Sequence, residues 1–205
     1  MKTMKAEIIR RDVIPSILAM EWAMFTTVSA YGGRAPCQDN YGQFILMRLS
    51  QFLSWDKRSL CCYFRDLYEA RKTGRNMMTE KYGYMMKSTH SQEYEQIKLH
   101  LPAISERKKA LISKIVSVEL QWMDSIVRAY PNIRLQGRVL KQTQEGADET
   151  SFETYRKGEL CTYSIDTLQS LWQHVTAAQK EGKNLNEDVL IHMTRLCGKE
   201  HIGQL

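Results

Sequence analysis

Five side chains set the chemical question in this sequence: Glu21, Cys37, Arg48, Gln51 and Glu119. Glu21 falls four residues after Ile17 and four before Phe25, so it shares the apolar stripe of a helix that also carries Ile14, Leu18, Met24 and Val28. Glu119 sits in the same way among Ile112, Ile115, Val116, Trp122, Met123 and Ile126. A buried carboxylate left unpaired costs several kcal/mol, so both residues require a partner. Arg48 is the expected one, because Phe44, Ile45, Phe52 and Trp55 surround it on a third stripe, with Gln51 one turn on. An arginine fork held by two carboxylates would satisfy all three charges.

Two further segments add polar groups. CQDN at 37–40 places a thiol and the Gln38 amide just before a helix, where the positive end of the helix dipole favours thiolate. GRNMMTEKY at 74–82 supplies Arg75, Asn76, Glu80 and Tyr82 around another helix start. Two readings are open. In one, the polar groups converge on a pocket for a small anionic metabolite bearing a carboxylate or phosphate. There Cys37 acts as nucleophile or acid/base, Glu21 or Glu119 shuttles a proton, and Arg48 holds the substrate anion with help from Gln51, Gln38, Arg75, Asn76, Glu80 and Tyr82. In the other, the same residues are an ion-pair network that ties helices together in a noncatalytic binding or regulatory module.

The elements that must position these residues are helical. Apolar residues recur with a helical period, glycine and proline fall mostly between the periodic stretches, and no segment reads as a strand. Helices are expected over about 15–30, 40–55, 57–72, 76–87, 103–130, 164–181 and 186–197, with a fifth in chain order ending near Leu101. The segment 152–160 reads as one more short turn. Between 137 and 151 the polar, glycine-punctuated run predicts a mobile connection. The expectation is an all-α fold, an irregular bundle of about seven to nine helices in a single domain.

Composition narrows the function classes. With 205 residues, 43% hydrophobic and 25% charged, the chain has the makeup of an ordinary globular domain. The net charge of +6 is spread over scattered lysines and arginines, so a nucleic-acid groove is not expected. Five cysteines, odd in number and without C-x-x-C spacing, predict neither a disulfide framework nor a zinc site and fit the cytoplasm. No Glu-x-x-His pair offers di-iron ligands and no phosphate-binding glycine loop is present, so the sequence names no metal ligands and leaves the cofactor unknown. No apolar run approaches the ~20 residues of a membrane span.

The segments EWAMF (21–25), GGRAPCQDNYGQFILMRLSQFLSW (32–55) and GRNMMTEKYGYMM (74–86) together resemble a bacterial domain-of-unknown-function family found largely in anaerobes. The resemblance spans most of the first 130 residues. It implies a cytoplasmic bacterial protein of this length and carries no activity with it.

Overall fold

The computed structural model describes the backbone of residues 2–29, 33–131, 139–145 and 150–205, and side chains from residue 13 onward. Among these residues nine α-helices form an irregular bundle with no strand. They are α1 (Lys2–Phe25), α2 (Tyr41–Leu53), α3 (Lys57–Lys72), α4 (Met77–Thr89), α5 (Ser91–Ile97), α6 (Glu106–Ala129), α7 (Phe152–Thr162), α8 (Ile165–Lys180) and α9 (Leu185–Leu196).

Local chemistry sets most boundaries. Asn40, Asp56, Asn76, Ser105, Ser151, Ser164 and Asn184 each accept a hydrogen bond from a backbone N–H in the first turn of the helix that follows. At the end of α3 the chain turns through Gly74 at φ 71°, which lets the Arg75 N–H reach the Ala70 carbonyl at 2.8 Å. That left-handed position suits glycine because it has no Cβ to clash. The first helix, expected over about 15–30, is displaced at both ends, since α1 begins at Lys2, carries Pro15 inside it and ends at Phe25. A proline in a helix removes one backbone donor and crowds the carbonyl of the preceding turn, a local cost that α1 absorbs without ending.

The core is continuous. Ile17, Phe52, Leu60, Tyr63, Leu67, Ile115, Leu160 and Leu168 are fully or almost fully buried. α1 packs on α3 and α2, α3 on α8, α8 on α6, and α6 on α7 and α9. α7 lies against α4. Gly158 allows that approach: a Cβ there would come within 2.6 Å of Met85 Cγ and 2.9 Å of the Lys81 carbonyl oxygen. Any side chain at 158 would drive the two helices apart, and with them Lys81 and Glu159.

The expected mobile connection over 137–151 lies partly outside the described residues. Its described part is attached to α7. The Val139 carbonyl accepts from Phe152 N–H at 2.8 Å, and Glu145 Oε1 accepts from the Ser151 amide and hydroxyl at 2.7 and 2.6 Å.

Candidate functional site

A chain of buried charges runs through the centre of the bundle. From α2, Arg48 grips Glu21 of α1 with two parallel bonds, Nε to Oε2 at 2.8 Å and Nη2 to Oε1 at 2.5 Å. Its Nη1 donates to Glu159 Oε1 at 2.6 Å and to Gln51 Oε1 at 2.7 Å. On α7, Arg156 repeats the arrangement toward Glu119 of α6, with Nε to Oε2 at 2.8 Å and Nη2 to Oε1 at 2.9 Å. Its Nη1 donates to Glu159 Oε2 at 2.7 Å. Glu159 therefore bridges two guanidiniums, each of which also holds a carboxylate of its own. Tyr63 closes one end by donating to Glu21 Oε1 at 2.5 Å. All five charged residues are buried, Glu21 completely.

A sixth charge lies beside this chain. Lys81 is buried with its Nζ 3.5 Å from the centroid of the Tyr155 ring, a cation–π contact. Burial pulls its pKa down to about 8 against the attraction of Glu159. Burial also opposes ionisation of Glu159, yet Arg48, Lys81 and Arg156 outweigh it and hold the carboxyl far below the usual range. For the arginines, burial works against the charge, but the carboxylates prevail and keep both guanidiniums well above their ordinary pKa. The three cations and three anions balance.

The sequence reading placed Glu21, Arg48 and Glu119 on interior faces, and the structure buries all three. It differs in the pairing. Arg48 takes Glu21 and Glu159, whereas Glu119 belongs to Arg156. Arg156 and Glu159 were missed because 152–160 read as a minor turn, while α7 is a three-turn helix and deeply buried. Two signals pointed there: one arginine against two interior carboxylates leaves a net negative charge, so the expected fork could not by itself satisfy all three, and Arg156, Glu159, Leu160 and Tyr163 follow the i, i+3, i+4, i+7 spacing of an interior face.

The other expected site residues lie apart from the charge chain. Cys37 is exposed on a short 3-10 turn, Pro36–Asp39, that leads directly into α2, as the sequence placed it. Buried Gln38 serves the end of α1, its Nε2 donating to the Phe25 and Val28 carbonyls at 2.8 and 2.9 Å. Asn76 caps α4 and donates to the Met24 carbonyl at 2.8 Å, tying α4 to the same end of α1. Arg75 and Glu80 form a bidentate pair at 2.8 and 2.7 Å. Half-buried Tyr82 has its ring 5.8 Å from Lys81 Nζ. These two segments clamp helix ends.

One cavity borders the charge chain. It has a volume of about 390 Å³ and lies between α2, α6, α7, α8 and α9. One stretch of wall is polar: Gln51, Glu119, Arg156 and Glu159, which the bonds above place side by side. Most of the remainder is apolar, including Leu46, Met123, Leu171 and the α9 side chains Leu185, Val189, Leu190 and Met193. These four α9 residues are all only half-buried. Cys37, Arg75, Asn76, Glu80 and Tyr82 do not line it.

The fold and this centre define an all-α bundle organised on a buried five-residue ion chain with a cavity along one side. The chain belongs to the DUF4125 family of proteins of unknown function, whose model matches residues 11–205. No curated protein and no solved structure matches it.

Proposed function

We propose that this protein binds a small, largely apolar molecule in the cavity under α9. The observation that supports this reading is the junction of two unlike surfaces: a pocket of about 390 Å³, within the ~300–1,000 Å³ of small-molecule sites, walled mainly by aliphatic side chains and floored by fixed polar groups. Aliphatic walls supply affinity and the few polar groups fix orientation. An enzyme built on Cys37 finds less support, since the thiol does not border the cavity and the carboxylates that do are committed to guanidiniums.

Filling the cavity tests the reading. Met193→Trp, on the half-buried wall of α9, should leave the helical content intact and abolish ligand binding. Native mass spectrometry of protein purified gently from cells should show a bound mass on the wild type that the variant lacks. Apolar probes in excess of their Kd should raise the Tm of the wild type alone. Equal bound masses on both proteins, together with no Tm response to any apolar probe, would reject the proposal.

A further inference from the structure

The polar wall of the cavity identifies what kind of head group it can take. Arg156 has five N–H donors, of which three are bonded: two to Glu119 and one to Glu159. Two remain, on a side chain only 7% exposed that lines the cavity. Gln51 spends its oxygen on Arg48, and its Nε2 hydrogens have no acceptor among the described residues. The wall thus offers unused donors.

The stretch formed by Gln51, Glu119, Arg156 and Glu159 offers no unbalanced charge; Lys199, which lines the cavity beyond α9, donates its Nζ to the Gln204 carbonyl. Arg48, Arg156 and Lys81 are matched by Glu21, Glu119 and Glu159, and the side-on fork of each arginine already holds a carboxylate. An incoming carboxylate or phosphate would lose its hydration and meet guanidiniums whose charge Glu119 and Glu159 already neutralise at 2.6–2.9 Å. An incoming ammonium would find carboxylates equally engaged. A neutral carbonyl has a small desolvation cost and needs only the donors that are free.

We infer that the ligand of this cavity is an uncharged, mainly aliphatic molecule bearing one hydrogen-bond-accepting carbonyl, an amide or ketone, received by Arg156 and Gln51. This inference rests on the cavity being a ligand site, and it departs from the anionic metabolite that the sequence suggested.

A matched probe series tests it: decanamide, 2-decanone, decanoate and decylamine, titrated by thermal shift and calorimetry at pH 7 against wild type, Gln51→Met and Met193→Trp. The amide and ketone should bind wild type at least tenfold more tightly than decanoate or decylamine. Gln51→Met, which keeps the chain length but loses the donor, should narrow that preference while retaining affinity for the aliphatic chain. Decanoate or decylamine binding as tightly as the amide would overturn the neutral head group and leave the cavity reading standing. If Gln51→Met keeps the full preference, the assignment to Gln51 fails. Absence of binding by all four probes, with wild type and Met193→Trp indistinguishable, would overturn both the head group and the site.

Discussion

The two sides of α7 differ in how they are filled. Toward α4 the contact is so close that Gly158 lies against the Lys81 carbonyl and Met85 with no room for a Cβ. Toward α9 the same helix presents Phe152, Tyr155, Arg156 and Glu159 to a cavity of about 390 Å³. Interiors are ordinarily packed to crystal-like density, so a hollow beside a dense contact is a selective departure. The difference teaches how a bundle can keep an open pocket. The charge chain and the α4–α7 contact hold Arg156 and Glu159 from behind, so the pocket-facing groups stay in place without filling from α9.

The largest expected effect breaks the charge chain that holds the pocket-facing groups of α7 in place. Glu159→Gln removes the one carboxylate that both guanidiniums share, leaving two buried cations with a single carboxylate each. Denaturant unfolding should show a loss of about 3–5 kcal/mol, the usual cost of breaking a buried ion pair. On the hollow side, Val189→Ala trims a half-buried wall residue and should cost about 1 kcal/mol or less. Equal costs for the two substitutions would remove the distinction between the fixed charge chain and the loosely filled α9 wall.

A smaller effect belongs to Lys81, on the dense side. Its folded pKa of about 8 lies below the ordinary 10.5, so between those values the unfolded chain binds more protons and stability rises with pH. Across the whole interval the gain is about 3 kcal/mol. Tyr63 and Tyr163, held well above their ordinary pKa by burial, work in the opposite sense as the unfolded tyrosines begin to ionise. The measurement is therefore the stability of wild type minus that of Lys81→Met, which should climb from pH 8 to pH 10. Parallel curves would mean that Lys81 titrates as an ordinary surface lysine and that the sixth charge of the balance is misplaced.

The same contrast explains what could be read from the sequence. The all-α class and the helix starts at Asn76 and Ser164 were legible because capping residues and a 3.6-residue period act locally. The burial of Glu21, Arg48 and Glu119 was legible for the same reason, each being a charge embedded in an apolar stripe. Their pairing was not. Arg48 meets Glu159 across 111 positions in sequence, and no local pattern encodes which of several interior carboxylates lies nearest. α7 escaped because its buried face is polar: Thr154, Arg156, Glu159 and Thr162 are buried, so a hydropathy pattern assigns the helix to the surface. Cys37 and the 74–82 segment drew attention for their residue types, but their roles depend on where α1 ends, since Gln38 and Asn76 both reach its last carbonyls.

The smallest expected effect is a rate, and it distinguishes the two sides through their thiols. Cys161 is on α7, where burial pushes its pKa up to about 11, so little thiolate is available near neutral pH. Cys197 is exposed at the end of α9 and lines the cavity, and Cys37 is exposed and is not part of the lining. Under native conditions iodoacetamide followed by peptide mass spectrometry should label Cys37 and Cys197 well before Cys161. An occupied cavity gives a sharper result: saturating decanamide should slow labelling of Cys197 several-fold and leave Cys37 unchanged, because only the former borders the bound chain. Protection of both would indicate a general tightening of the bundle. Protection of neither, with a ligand that has raised the Tm, would move the binding site away from α9 and return the hollow side to a simple packing defect.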